Sequence, residues 1–248
     1  MSYEIDLSGK VAIVTGGVTG LGLAITSILA DAGAQVVMGD IITQEEAEPF
    51  LERLSSKEPA PVHVRCDIGL ESECKKLVAE TIDRFGRVDI VVNNAGIANQ
   101  SWHKVFDVNV LAQFHINSAA YENMKLRRYG KIVNITTSGT FSGGGSGIEY
   151  NATKGAADSM TRYIAKRYAK DGVMVNAVAP VPTLTDMMRD YHGERNFENH
   201  YLPTMPIART LVPEDLAKVV LFMVCPLSDC LCGETILADG GRVMLNPA

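Results

Sequence analysis

The chain is predicted to fold as an α/β protein, a doubly wound parallel sheet with helices on both faces, and three observations carry that expectation. Its 248 residues fall within the range that one large α/β domain uses. Seven short runs rich in Val and Ile alternate with longer amphipathic stretches, which is the pattern of repeated βαβ units. The first run feeds directly into a glycine-rich turn that opens a helical pattern, the arrangement of a Rossmann fold.

Val11 to Thr15 is the first expected strand, and Thr15-Gly16-Gly17-Val18-Thr19-Gly20-Leu21-Gly22 follows it. A helical pattern then runs from Leu23 to Ala32 and stops at Gly33. Glycines in such a turn let the backbone approach a pyrophosphate without a Cβ clash, and the helix N-terminus behind it offers unpaired N–H groups. The turn therefore assigns Gly16, Thr19, Gly20, Leu21 and Gly22 to a dinucleotide. Gln35 to Gly39 is the second strand, and Asp40 closes it, 18 residues after Gly22. A carboxylate there accepts hydrogen bonds from the adenosine ribose and repels a 2′-phosphate. Neither Ile41-Ile42-Thr43 nor Gly17-Val18-Thr19 contains an Arg or Lys to pair with such a phosphate, so NAD is preferred over NADP, with Asp40 and Ile41 beside it.

The remaining strands are expected at Val62 to Cys66, Asp89 to Asn93, Lys131 to Thr136, Val173 to Ala179 and Glu234 to Ala238. With no repeat, low-complexity tract or long linker, residues 1–248 read as one NAD(P)-binding domain. Phe141 to Gly147 is Gly/Ser-rich and reads as a loop. Asp186 to Thr210 mixes polar residues with Met187, Met188, Tyr191, His192, Phe197, His200, Tyr201 and Met205. It reads as a substrate lid beyond the carboxyl ends of the strands, or alternatively as a surface that packs on a neighbouring subunit.

Composition excludes several classes. The net charge of −6 argues against a nucleic-acid partner, and the small basic cluster Lys125, Arg127, Arg128 and Lys131 reads as a solvated helix end. No basic segment followed by an apolar run opens the sequence, and no stretch of about 18 apolar residues follows, so neither a secretory signal nor a membrane span is expected and the location reads as cytoplasmic. Five cysteines, with no paired CxxC spacing, read as free and mostly buried thiols, and no metal site is expected.

Tyr150 and Lys154 lie four residues apart on a helical stretch and so share a face. Oxidising a secondary alcohol requires a group to take the hydroxyl proton while the nicotinamide takes the hydride. A free phenol titrates near 10, so a nearby cation is needed to favour the phenolate. Bringing it near neutrality takes about 3 to 4 kcal/mol, which Lys154 and the positive nicotinamide together can supply.

These residues resemble the short-chain dehydrogenase/reductase family, from about Leu7 to Val243. Beyond the glycine turn the matches are Asp67 after the third strand, Asn93-Asn94-Ala95-Gly96 after the fourth, Asn109 in Phe106-Asp107-Val108-Asn109-Val110, the Tyr150/Lys154 pair, and Asp239-Gly240-Gly241. The resemblance implies that Asp67 and the backbone of Ile68 flank the adenine, that Asn94, Ala95 and Gly96 line the cofactor cleft, and that Pro180, Thr183 and Thr185 lie by the nicotinamide. It also implies that Lys154 binds the nicotinamide ribose, that Asn109 holds a water in the proton relay, and that the protein is a homotetramer pairing its long helices. A Ser thirteen residues before the Tyr usually orients the substrate in this family; here that position is Thr137, with Ser138 next to it, and either can donate to a developing alkoxide. Two departures stand out. The Gly96–Asn109 segment is shorter than is usual, and the common Pro-Gly after the sixth strand is Pro180-Val181, which puts a β-branched side chain close to the nicotinamide. The expected activity is NAD-dependent interconversion of a secondary alcohol and a ketone. The alternatives are a 3-oxoacyl-type reductase, an activity that commonly uses NADPH, and a non-catalytic NAD-binding regulator.

Overall fold

A computed structural model describes residues 5–144, 146–185 and 194–245. Seven strands form one all-parallel sheet in the order β3-β2-β1-β4-β5-β6-β7. They are β1 (Val11–Thr15), β2 (Gln35–Asp40), β3 (Val62–Arg65), β4 (Ile90–Asn93), β5 (Gly130–Ile135), β6 (Val173–Pro180) and β7 (Thr235–Ala238). Each expected strand forms, displaced by no more than one residue at either end. The helices described are α1 (Gly20–Asp31), α2 (Gln44–Leu54), α3 (Glu71–Phe85), α4 (Trp102–Phe106), α5 (Ala112–Met124), α6 (Gly139–Ser142), α7 (Ile148–Tyr168), α8 (Glu194–Tyr201) and α9 (Pro213–Val224). None among the described residues is long and apolar enough to cross a membrane.

Side chains that alternate along a strand feed opposite faces. Ala12 and Val14 of β1 pack with Ile25 and Leu29 of α1 and Val220 of α9, while Ile13 between them packs with Leu77 of α3, Ile116 of α5 and Ile164 of α7. Strands buried on both faces need continuous apolar runs, which is why VAIVT, IVVN and their counterparts were legible. Local signals set the ends of the helices. Thr43 caps α2 by accepting from the Glu46 N–H, with the Glu46 carboxylate returning the bond to the Thr43 N–H, and Gly86 ends α3 in the left-handed conformation at φ 76°. α1 begins at Gly20, three residues earlier than the apolar pattern suggested, because the glycines of the turn supply its first residues.

The amino-terminal rim of the sheet is fastened by buried charge. Asp89 is fully buried, accepts the N–H of Val11 at 2.9 Å, and takes both nitrogens of a forked Arg87 at 2.7 Å. Lys131, expected as part of a solvated basic cluster, is instead buried at the start of β5 and pairs with Asp229 at 2.7 Å. Arg127 of that cluster also turns inward, donating to the Val88 carbonyl at 2.7 Å. Strand order reverses between β1, flanked by β2, and β4, flanked by β5, which opens a crevice beyond the carboxyl ends of β1 and β4.

Candidate active site

At that crevice the glycine turn connects β1 to α1. Gly16 and Gly20 hold φ of 59° and 53°, and a Cβ on Gly22 would fall 1.8 Å from the Gly16 carbonyl oxygen, so the first turn of α1 packs onto the turn itself. Thr19 precedes the helix in an extended conformation without a side-chain cap, and no acidic residue occupies the first turn of α1. The positive end of the helix is thus left open to an outside anion, and these residues fit a pyrophosphate. Asp40 ends β2 beside the turn: its Oδ2 accepts the Val18 N–H at 3.3 Å and its Oδ1 the Ile41 N–H at 2.8 Å. Asp67 follows β3, exposed, with Oδ1 accepting the Gly69 N–H at 2.9 Å next to Ile68.

Asn94 was expected to line the cleft. Its amide clamps β1, donating to the carbonyls of Thr15 at 3.0 Å and Gly16 at 3.1 Å, while the Thr15 hydroxyl accepts the N–H groups of Asn94 and Ala95, both at 3.1 Å. Its role is therefore to hold the glycine turn against the loop that follows β4.

That loop reaches the catalytic candidates at Gly96. A Cβ there would lie 3.1 Å from Lys154 Nζ and 3.2 Å from Asn109 Oδ1, which places Gly96, Lys154 and Asn109 around one point. Lys154 is buried on α7, donates to the Ile135 carbonyl at the end of β5 at 2.8 Å, and sits 5.6 Å from the centre of the Tyr150 ring. Asn109 occupies a π-helical turn, Asp107–Leu111, inserted between α4 and α5. Its side chain accepts the Ile97 N–H and donates to the Ile97 carbonyl, both at 2.9 Å, and donates to Thr153 Oγ1 at 3.1 Å. Thr153 in turn donates to the Tyr150 carbonyl at 2.8 Å, so Asn109 braces the helix turn that carries the tyrosine. Burial pushes the Tyr150 phenol up to about 12. Burial also pulls the Lys154 ammonium down to about 8, against the attraction of Asp158. The expectation that Lys154 favours the phenolate concerns Lys154 acting together with the positive nicotinamide. Burial by itself thus holds the phenol in its protonated form.

Thr137 and Ser138 both lie buried at the carboxyl end of β5. The Thr137 hydroxyl accepts the Gly139 N–H at 3.2 Å, and the Ser138 N–H donates to the Pro180 carbonyl at 2.9 Å, which ties this segment to the end of β6. Phe141 and Ser142 of the expected Gly/Ser loop belong to the short α6. Beyond β6, the Thr185 methyl group would lie 3.5 Å from a Cβ on Gly20, next to the glycine turn, and the Thr183 hydroxyl donates to the Val181 carbonyl at 2.9 Å. Val181 was expected close to the nicotinamide. It is buried with Met205, Leu211 and Leu216, against Leu21 of α1. Of the expected lid, Asp186 to His192, and with them Met187, Met188 and Tyr191, lie outside the described residues. Phe197 is fully buried, and Arg242 Nε donates to Thr204 Oγ1 at 2.9 Å, joining this region to the chain after β7.

Sequence reasoning missed a buried amide network below the site. Asn93 Nδ2 donates to Asn117 Oδ1 at 2.7 Å and to Asn134 Oδ1 at 2.8 Å, and Asn134 Nδ2 donates to Thr161 Oγ1 at 2.8 Å. A signal existed, an Asn near the end of two apolar runs, but only the register that sets Asn93 beside Asn134 joins them.

A family model described as Enoyl-(Acyl carrier protein) reductase matches residues 16–242. The chain is 34% identical over 248 residues to a 3-oxoacyl-[acyl-carrier-protein] reductase of Aquifex aeolicus, covering 96% of this chain and 99% of that protein. It is 32% identical over 246 residues to the 2-dehydro-3-deoxy-D-gluconate 5-dehydrogenase of Dickeya dadantii, covering 95% and 96%. It is 31% identical over 255 residues to the NADPH-dependent aldehyde reductase 1 of Arabidopsis thaliana, covering 96% and 88%.

Proposed function

The chain belongs to the short-chain dehydrogenase/reductase family of oxidoreductases, and on that premise we propose that it interconverts a secondary alcohol and a ketone with NAD, using Tyr150 as acid and base. The observation that carries this reading is the convergence of Gly96, Asn109 and Lys154 beside Tyr150, at the carboxyl end of the sheet and within reach of the glycine turn. Bound in the crevice, the nicotinamide supplies the hydride acceptor or donor. Gly16, Thr19, Gly20, Leu21 and Gly22 hold the pyrophosphate, Asp40 and Ile41 the adenosine ribose, and Asp67 and Ile68 the adenine. Asn94, Ala95 and Gly96 shape the floor, and Pro180, Thr183 and Thr185 the nicotinamide side.

Tyr150 donates its proton to the carbonyl oxygen in reduction and takes the hydroxyl proton in oxidation. A hydroxyl of Thr137 or Ser138 orients that oxygen. Burial keeps the phenol protonated, the form that donates in reduction; in oxidation, positive charge from Lys154, 5.6 Å from the ring centre, and from an oxidised nicotinamide held in the crevice would favour the phenolate. Asp40 supports NAD, since a 2′-phosphate would meet a carboxylate beside the turn.

A 3-oxoacyl-type reductase is the second reading, favoured by the name of the Aquifex relative. The substrate, the homotetramer and a cytoplasmic location remain part of the proposal. Exposed Leu111, Phe114 and Tyr163 on the two long helical segments support assembly between copies of the chain.

Nicotinamide absorbance during incubation with NAD or NADP and a panel of secondary alcohols tests the reading. Turnover with NAD that disappears in Tyr150→Phe is the expected result. Turnover with NADP alone overturns the assignment of Asp40, and NAD binding without turnover moves the protein to the regulator class.

A further inference from the structure

Asp158 lies one helical turn beyond Lys154 on α7 and is only 5% exposed, a buried carboxylate to which the proposed chemistry gives no task. Its oxygens are held from two directions. Thr140 Oγ1 of α6 lies 3.1 Å from Oδ2, and Thr235 Oγ1, the first residue of β7, lies 3.1 Å from Oδ1. Thr140 reaches back in turn to the Thr137 carbonyl, at 2.9 Å from its hydroxyl and 3.2 Å from its N–H. A Cβ on Gly139 would fall 2.6 Å from Asn151 Oδ1, so α6 is pressed against α7 at this place. The charged neighbours of Asp158 are Lys154 and Arg162 on its own helix, and the Thr136 hydroxyl approaches from the end of β5.

An apolar side chain would fill a helix–sheet gap without the desolvation cost of a carboxylate. What a carboxylate adds is direction, since two oxygens can hold two hydroxyls from separate elements at fixed positions. The elements held here are the segment carrying Thr137 and Ser138 and the strand beside β6. The helix that holds them carries Tyr150 and Lys154.

We propose that Asp158 is a positioning residue which, through Thr140, fixes the Thr137–Ser138 segment relative to Tyr150, so that one substrate oxygen meets both. The inference rests on Tyr150 acting as acid and base. A carbonyl oxygen must lie within hydrogen-bond reach of the phenol and of the orienting hydroxyl at once, and a displacement of about 1 Å can cost on the order of 100-fold in rate.

The test compares wild type, Asp158→Asn, Thr140→Val, Thr140→Ser and the Asp158→Asn/Thr140→Val double variant. The measurements are kcat and KM with NAD and whichever of cyclohexanol, 2-butanol, 3-hydroxybutyrate and sorbitol the wild type oxidises, the NADH dissociation constant by fluorescence, and Tm. Asp158→Asn and Thr140→Val are each expected to lower kcat by roughly 10- to 100-fold with NADH affinity unchanged. Thr140→Ser, which keeps the hydroxyl, is expected to retain kcat. The double variant is expected to lose no more than the worse single one, because both changes act through one contact. Unchanged kcat in Asp158→Asn, a parallel loss of kcat and NADH affinity, or additive losses would overturn the inference while leaving the proposed function standing. If Asp158→Asn does not fold, the contrast between Thr140→Val and Thr140→Ser decides alone. A wild type that oxidises none of the alcohols overturns both.

Discussion

The two halves of the crevice are built in different ways. On the cofactor side, from β1 through β2, the shape comes from the backbone: a turn closed on itself at Gly22, an uncapped helix start, and strand ends in register. On the catalytic side, from β4 through α7, it comes from buried polar side chains, namely Asn93 with Asn117 and Asn134, Asn109 with Ile97 and Thr153, and Asp158 with Thr140 and Thr235. The first half is specified by residues adjacent in sequence. The second depends on partners many residues apart, and a partly satisfied network of that kind is costly.

The contrast breaks most sharply at Gly22. Gly22→Ala puts a Cβ where the Gly16 carbonyl oxygen lies, and a loss of about 4 kcal/mol or more is expected, read by chemical denaturation and by failure to bind NADH. Tyr150→Phe should leave the backbone-built half intact. NADH titration is expected to give unchanged affinity while kcat falls by about 10²- to 10⁴-fold.

A pH series on Lys154→Met sharpens the comparison further. Burial lowers the Lys154 pKa in the folded protein to about 8, from 10.5, so the unfolded chain binds more protons between those values. Wild type should therefore gain stability relative to Lys154→Met as pH rises from about 8 to 10, by up to about 3 kcal/mol at roughly 1.4 kcal/mol per unit, measured as the difference between denaturation curves at the two ends. Asn134→Ala, which removes one of the two acceptors of the Asn93 amide and the donor to the Thr161 hydroxyl, is expected to cost about 2 kcal/mol in Tm-derived stability without changing the cofactor preference. The smallest effect is expected at Asp40. Asp40→Ala should narrow the ratio of NAD to NADP affinities by about tenfold, roughly 1.4 kcal/mol, in paired titrations.

The same contrast explains what could be read in advance. Apolar runs and glycine spacing are local, so all seven strands, the turn and the place of Asp40 were legible. The π turn around Asn109 has no composition of its own, and it takes the packing against Ile97 and Thr153 to reveal it. Lys131 looked solvated because nothing nearby in sequence announces Asp229 as its partner, 98 positions on. The neighbours of Val181, Met205 and Leu216, come from segments the periodicity could not place. The place of Asn94 was legible, but only the geometry assigns its two amide protons to Thr15 and Gly16.

The buried charges at the amino-terminal rim have a bearing on how such a molecule diverges. Asp89 with Arg87, and Lys131 with Asp229, fasten the strands at the end farthest from the crevice. Changes at the opposite rim can then accumulate without loosening the sheet, and a single architecture can pass from one substrate to another over successive substitutions. Relatives at 31 to 34% identity to this chain bear names as different as a sugar-acid dehydrogenase and an acyl-carrier reductase.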